Sequence, residues 1–378
     1  MLLDLFLQHR SICTDTRKLQ PGDIYFALKG ENFDGNAFAK QALDAGASAV
    51  IIDDFSVHKP FDDRYYHVGN VLESLQGLAL NYRRSLDIPV LGLGGSNGKT
   101  TTKELLMAAF QGDRKVHATS GNLNNHIGVP LTLLAIPPDA ALAIIEMGTN
   151  QPGDMELLCS LADPDFGLLT NIGKEHLELL RDLDGVQEEE GALFRYLARK
   201  GGLAFVNAGD KRIEAEGNML SNKLEYGSEN SQAWIEIKNL QLNSMELELK
   251  GPLFTKPFTI QSQLSGKHNA ANILAAAVVA THFGVSSETI ASGIGRFQAK
   301  NNRSQVIEYK DLTIWMDAYN ANPSSMKAAI EHVAQGLTKR SDLILGDMRE
   351  LGIVSQQEHG DIVLYNPKLS ACYSYRNW

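Results

Sequence analysis

Residues 92–102 read Gly-Leu-Gly-Gly-Ser-Asn-Gly-Lys-Thr-Thr-Thr, and they constrain the fold more than any other stretch of the chain. An apolar run at 90–93 leads into them, and residues 103–110 follow with helical spacing. A strand, a glycine-rich turn and a helix opening on Lys-Thr-Thr form the setting in which backbone N–H groups and a helix N-terminus cradle phosphate. The candidate nucleotide contacts are therefore Gly95, Ser96, Asn97, Gly98, Lys99, Thr100 and Thr101. In this setting Lys99 would reach the β- and γ-phosphates and the Thr100 hydroxyl would ligate Mg²⁺. The spacing is nevertheless unusual. The common phosphate-loop pattern sets a glycine, any four residues, then Gly-Lys-Thr. Counting back from Gly98 puts Leu93 at that first glycine, with Gly92 one position early and Gly94 one late. The bland alternative, an ordinary glycine-rich turn, does not account for Gly-Lys-Thr-Thr at a strand–helix junction.

The same alternation recurs along the chain. Apolar runs at 90–93, 141–145 and 166–170 each end in polar residues and precede helical sequence. This is the signature of a parallel sheet with helices on both faces. Ligands of such sheets bind beyond the carboxyl ends of the strands. Upstream, roughly the first 85 residues read as a small α/β unit, with β-rich runs at 23–28 and 49–52 and helical stretches at 36–45 and 71–86. Pro89 marks a linker. Between 234 and 260 the apolar period becomes two, which predicts antiparallel hairpins beside the parallel sheet. A helix at 269–283 follows, and a third α/β segment starts near Val306, with strands expected at 312–316 and 343–345.

With 378 residues, 43% of them hydrophobic, the chain can bury two or three cores. Its 35 basic and 45 acidic residues give a net charge of −10, which argues against a protein whose main work is to coat nucleic acid. Residues 1–7 are apolar but lack a basic start, and residues 272–280 fall short of the roughly 20 needed to span a bilayer. No membrane insertion is expected, and the protein reads as soluble and cytoplasmic. Cys13, Cys159 and Cys372 form no CxxC and no cluster, as expected of unpaired thiols in a reducing compartment.

Other polar residues fall where the parallel sheet would place a ligand. Glu146 closes the run Ile144-Ile-Glu-Met-Gly, and a charge there is costly unless it holds a cation or partner. His176 lies just past the next run, in Thr170-Asn-Ile-Gly-Lys-Glu-His; a metal-ligand role competes with ordinary packing. The stretch from Thr119 to Thr132 is dense in amides, including Asn122, Asn124 and Asn125. It suits recognition of a polar ligand or, more plainly, a hydrogen-bonded turn.

Taken together these motifs resemble the Mur ligase family, and within it the branch that adds D-alanyl-D-alanine to UDP-N-acetylmuramoyl-tripeptide. The loop of that family spaces its glycines as Gly92, Gly95 and Gly98 stand here. Also similar are Thr14-Asp-Thr-Arg17, the stretch from Phe26 to Gly35, Gly121-Asn-Leu-Asn-Asn-His-Ile-Gly-Val-Pro130, and Asn171-Ile-Gly173 with His176. Gly266-Lys-His-Asn-Ala-Ala-Asn272, Asp317-Ala-Tyr-Asn-Ala-Asn-Pro-Ser324 and Gly346-Asp-Met348 complete a likeness over roughly residues 11–360. The resemblance implies an α/β protein of three domains. These are a small N-terminal α/β domain for the UDP-substrate at 1–86 and a central phosphate-loop parallel-sheet ATPase domain with added antiparallel strands at 87–300. An incomplete, Rossmann-like C-terminal ligase domain would occupy 301–378.

Carried onto this chain, the resemblance places Asp15, Thr16, Arg17, Lys29, Gly30, Phe33, Asp34 and Gly35 at the UDP end of the substrate. Asn122, Asn124 and Asn125 would face its muramyl or peptide part. Asn269, Asn272, Arg303 and Asp317 would hold ATP. Thr100, Glu146, His176 and Glu190 would position two Mg²⁺ ions. Tyr319, Asn320 and Ser324 would stand where ATP meets the incoming dipeptide, and Lys99, His176 and Asn320 would act in catalysis. The implied reaction is ATP-dependent amide ligation in peptidoglycan synthesis through an acyl phosphate, by a protein that is monomeric.

Two departures accompany the resemblance. Where the family carries a carbamate-modified lysine, this chain has Glu190, an oxygen ligand that needs no modification but is shorter. The chain also stops at Trp378, and residues 369–378 match nothing expected there. A truncated third domain is therefore expected, and the alternative function is an impaired relative that binds ATP or UDP-substrate without ligating it.

Overall fold

The computed structural model describes residues 1–300, 302–310, 312–336 and 343–365. They fall into two compact units. One comprises Met1–Val90, His117–Ile145 and Leu157–Asp163; the other holds Leu91–Val116, Glu146–Glu156 and the chain from Pro164 onward.

The N-terminal residues form a parallel sheet in the order Ile12–Cys13, Ile24–Phe26, Ala49–Ile52, Tyr65–His67. Tyr25, Ala27, Val50 and Ile52 pack with Ala39, Ala42 and Leu43 of the adjoining helical stretch into one core. That stretch begins as a 3-10 turn, Gly35–Phe38, before the α-helix Ala39–Asp44. The helix Val71–Ser85 starts where the Asn70 side chain accepts the N–H of Glu73, a common N-cap arrangement. Its apolar positions Val71, Leu75, Leu78, Ala79 and Tyr82 recur at helical period and are buried.

A six-stranded sheet runs in the order Lys223–Tyr226, Leu203–Asn207, Phe166–Leu169, Val90–Gly94, Leu142–Glu146, Val116–Ala118. Phe166–Leu169 pairs parallel with both Leu203–Asn207 and Val90–Gly94. Val90–Gly94 and Leu142–Glu146 are buried along their whole length, as expected of parallel strands covered on both faces. The helix Lys267–His282 carries an almost unbroken Ile-Leu-Ala-Ala-Ala-Val-Val-Ala run and buries all of it.

Beyond this sheet the expected period-two segment forms an antiparallel sheet of Trp234–Leu240, Met245–Lys250 and Phe258–Ser262. Met245, Leu247 and Leu249 are buried, while Glu246 and Glu248 alternate with them. Among the described residues no helix is long and apolar enough to cross a membrane. Cys13 and Cys159 are buried and form no disulfide among the described residues; Cys372 and the tail from 369 lie outside the described residues.

The C-terminal part corrects one expectation. Leu312–Met316 is a strand, but it pairs antiparallel with Gln305–Tyr309, and residues 343–349 carry no strand. Instead of entering a ladder, the Met348 N–H is donated to His359 Nε2 at 3.0 Å. A local side chain thus satisfies backbone that a neighbouring strand would otherwise pair. The helices Pro323–Gly336 and Ser355–Leu364 complete this part.

Candidate active site

The phosphate loop leaves the strand Val90–Gly94 and enters the helix Lys99–Ala109. Its glycine spacing has a physical cause at each position. A Cβ at Gly92 would press on Met147 and Leu193, and one at Gly94 would come within 2.8 Å of Glu190, Leu169 and Met155. Gly95 and Gly98 have φ of 110° and 82°, a left-handed backbone that favours glycine. At Gly95 a Cβ would also fall 2.3 Å from the Thr170 hydroxyl, and at Gly98 2.8 Å from the Asn272 amide.

The turn after the next strand clamps this loop. Ser96 N–H donates to the Asn171 carbonyl (2.9 Å), and Asn97 N–H donates to the Asn171 side-chain oxygen (3.1 Å). The Asn97 carbonyl accepts from Thr170 Oγ1 and Asn171 Nδ2, at 2.6 and 2.7 Å. Ser96 Oγ exchanges hydrogen bonds with the Gly173 backbone. From the C-terminal part, Asn322 Nδ2 donates to Asn97 Oδ1 at 2.8 Å, and Ser324 Oγ accepts the Lys174 N–H at 2.9 Å.

Carboxylates surround the loop lysine. Lys99 Nζ donates to the Gly95 carbonyl and lies 3.9 Å from Glu175 Oε2. Burial works against its charge, but Glu175, Glu190 and Glu146 outweigh it and hold the ammonium above the usual lysine range. Burial pushes the Glu175 carboxyl up to about 7 while Lys99 pulls it down. Burial likewise lowers His176, against the opposing pull of Glu350.

The expected metal residues have diverse partners. Thr100 Oγ1 donates to Glu146 Oε1 at 3.1 Å, and the buried Lys103 ammonium lies 3.8 Å from Glu146 Oε2. Glu190 is 0% exposed; its carboxylate accepts the Gly95 N–H at 2.6 Å and the Thr149 hydroxyl at 2.9 Å. His176 Nδ1 lies 2.5 Å from Glu350 and its Nε2 3.8 Å from Glu175. Among the described residues no cluster of three or more His, Cys, Asp or Glu is arranged to cage a metal.

Of the expected ATP residues, Asn272 Nδ2 donates to Asn269 Oδ1, and the Arg303 guanidinium stacks 3.7 Å over the Tyr319 ring. Asp317 accepts the Ser304 N–H; burial raises its carboxyl. The Asn320 side-chain oxygen accepts the adjoining Ala321 N–H. A cavity of about 390 Å³ opens beside Thr100 and Thr101 and is lined also by Gln111, Arg296, Lys300 and Arg303.

The expected substrate residues are held by local contacts. Arg17 pairs with Asp15 at 2.8 Å, and the Arg17 N–H also donates to that carboxylate, turning the chain at Thr16. Lys29–Gly30 and Phe33–Asp34 form a short hairpin, with Lys29 paired to Asp53 at 2.9 Å. A Cβ at Gly35 would fall 2.5 Å from the Leu28 carbonyl. Asn125 accepts the N–H groups of Ile127 and Gly128, so its oxygen supports the turn reading. Asn124 N–H donates to the Asn122 carbonyl.

Sequence reasoning missed Glu175, Lys103, Asn322, Glu350 and the cavity residues Arg296 and Lys300. For Glu175 a signal existed: a carboxylate directly before His176, after a buried strand. For Lys103, Asn322 and Glu350, pairing across tens of residues left no local mark, and Arg296 and Lys300 reach the cavity only through the fold.

Comparison with known proteins agrees with this geometry along the chain. Residues 9–83 match the model of the Mur ligase family, catalytic domain; 93–280 match the Mur ligase middle domain; and 302–376 match the Mur ligase, glutamate ligase domain. The UDP-N-acetylmuramoyl-tripeptide–D-alanyl-D-alanine ligase of Bacillus subtilis is 36% identical over 372 residues, covering 96% of this chain and 79% of the relative. A crystal structure of MurF from Acinetobacter baumannii superposes with a TM-score of 0.87 at 29% identity, over 96% of this chain and 80% of that one. MurF from Thermotoga maritima in complex with ADP gives 0.86 at 26% identity, over 99% and 89%.

Proposed function

The chain belongs to the Mur ligase family, and we propose that it is the ATP-dependent ligase that joins D-alanyl-D-alanine to UDP-N-acetylmuramoyl-tripeptide. The observation that carries this reading is the clamped phosphate loop, with Thr100 against Glu146 at its exit, in a chain similar to such ligases along nearly its whole length. The product is an amide, and its synthesis serves peptidoglycan and the cell wall.

The chemistry follows in two steps. The peptide carboxylate attacks the γ-phosphate of ATP, giving an acyl phosphate and ADP. The dipeptide amine then adds to the acyl carbon, and the tetrahedral intermediate collapses with loss of phosphate. Neither step needs an elaborate nucleophile, so the protein's work is positioning and charge stabilisation. The Gly98–Thr101 backbone offers N–H groups at the helix start, those of Gly95, Ser96 and Asn97 being held by Glu190 and Asn171. Lys99, held at the Gly95 carbonyl and near Glu175, would neutralise charge on the phosphates. The cavity beside Thr100 and Thr101 suits the rest of the nucleotide, with Asn269, Asn272, Arg303 and Asp317 nearest the roles expected of them.

The donor set suits magnesium that arrives with the nucleotide. A threonine hydroxyl and one carboxylate are a small protein contribution, and Mg²⁺ takes its other ligands from phosphates and water. When bound, such ions neutralise charge on the transferring phosphoryl group. Glu190 keeps acceptor capacity, because a carboxylate offers about four lone-pair sites and its oxygens accept from Gly95 and Thr149. In the N-terminal unit, Asp15, Thr16, Arg17 and the Lys29–Gly35 turn go with the UDP end. Asn122, Asn124 and Asn125 go with the muramyl-peptide part, and Tyr319, Asn320 and Ser324 with the dipeptide. The domain boundaries at 86/87 and 300/301 and a monomeric state belong to the same reading.

The test is phosphate release by purified protein given ATP, UDP-N-acetylmuramoyl-tripeptide and D-Ala-D-Ala. Release that requires all three is expected. Nucleotide binding without release would instead mark an impaired relative.

A further inference from the structure

Glu350 was given no role by the sequence, and it sits just past the Gly346-Asp-Met348 run. Its carboxylate meets His176 Nδ1 at 2.5 Å, and its own carbonyl accepts the Glu178 N–H at 3.0 Å. Side chain and backbone of one residue thus hold the same short loop. Both partners adopt backbone that non-glycine residues avoid, with φ of 47° at His176 and 61° at Glu350. Such conformations persist only where the surroundings over-determine them, and they gather at functional sites. Further contacts press the same two segments together. Gly352 approaches so closely that a Cβ would lie 3.0 Å from Glu178 Cα, and Lys174 Nζ pairs with Glu358 at 2.5 Å.

We propose that Glu350 is the positioning residue of His176, fixing its proton at Nδ1 and directing Nε2 toward Glu175 and Lys99. In this way the segment 343–365 completes the cation side of the ATP site. A neutral imidazole whose Nδ1 faces a carboxylate carries its hydrogen there and leaves the Nε2 lone pair as a ligand. Nε2 has no comparable anchor in Glu175, whose Oε2 at 3.8 Å is beyond hydrogen-bond reach and lies 3.9 Å from Lys99 Nζ. Glu350 touches no reacting group and acts only through the histidine. The cation half of the inference rests on the reading of His176 as a metal-side residue; the tautomer half does not.

The experiment uses the full chain labelled with ¹⁵N-histidine, in EDTA, with the His176 signals identified by their loss in His176→Gln. The ¹⁵N shifts are expected to show Nδ1–H and a bare Nε2. Glu350→Gln should keep that form, because the amide oxygen accepts the same proton, whereas Glu350→Ala should lose it. A wild-type ring protonated at Nε2, or an alanine variant with unchanged tautomer, overturns the proposal. Should Glu350→Ala fail to fold, the wild-type and glutamine spectra still decide it. Mn²⁺ binding with ADP, followed by electron paramagnetic resonance, tests the cation half. Glu350→Ala should weaken it about 10- to 100-fold, the range found when such outer partners are lost, and Glu350→Gln less. If His176→Gln leaves Mn²⁺ binding unchanged, the metal reading of His176 fails and the cation half with it. The tautomer spectra then judge the positioning role alone.

Discussion

The phosphate loop and the Lys29–Asp34 hairpin are both short turns bearing glycine, yet they are held in opposite ways. The loop is fixed by partners distant in sequence: Gly95 by Glu190, and Asn97 by Thr170, Asn171 and Asn322. The Asp15–Arg17 turn relies on its own residues and the hairpin on an ion pair from Lys29 to Asp53, and both hold side chains out. Arg17 is 87% exposed and Lys29 51%. A group that stabilises charge in a transition state must be set before the substrate arrives. Groups that first meet a large soluble substrate must instead be presented to water. The two regions should therefore fail differently when altered.

The largest effect is expected at Gly95. Gly95→Ala adds a Cβ 2.3 Å from the Thr170 hydroxyl at a φ of 110°, which should cost about 2–4 kcal/mol of stability and abolish ADP binding. Calorimetric melting and a nucleotide titration measure both, and normal binding would contradict the view that the loop is rigidly preset. Next comes Glu190. Glu190→Ala leaves the Gly95 N–H and Thr149 hydroxyl without their acceptor and should cost about 2–3 kcal/mol by denaturant unfolding. Glu190→Gln should cost less, and its Mg²⁺ requirement in turnover is informative. If that requirement matches wild type, Glu190 braces the loop and ligates no metal.

A smaller effect concerns pH. The Glu175 carboxyl is raised to about 7 in the folded chain, so between its ordinary value and 7 the folded state binds more protons than the unfolded one. Its contribution is therefore full at acid pH and is lost as pH rises through about 7. In metal-free protein, Glu175→Gln should flatten the decline of melting temperature over that window; an identical slope would remove Glu175 as its source. The smallest structural effect belongs to Arg17. Arg17→Ala should leave the melting temperature unchanged, since an exposed ion pair contributes little, yet raise KM for the UDP-substrate without lowering kcat. A fall in kcat with unaltered KM would erase the contrast between the two regions.

What could be read in advance depended on how local the cause was. The phosphate loop, the parallel strands and the switch to period two near Trp234 were legible because each follows from neighbouring residues. The 343–345 strand was misread because three apolar residues do not specify a partner, and here His359 supplies one for Met348 instead. Asn125 shows the converse: an amide-rich run allowed either recognition or a turn, and its oxygen accepts the N–H groups of Ile127 and Gly128, a contact that needs no distant partner. Glu350 had no sequence signal, because its relation to His176 exists only after two distant segments meet.

The sequence alone determined the strand–helix alternation of the central sheet, the family, and the presence of a loop able to hold nucleotide phosphate. These depend on backbone preference and apolar period, which short stretches carry within themselves. Only the tertiary structure decided why Gly92, Gly94, Gly95 and Gly98 must lack side chains, what Glu190 grips and which face His176 turns to the site. Those are matters of distance between atoms far apart in the chain, and no local rule encodes them.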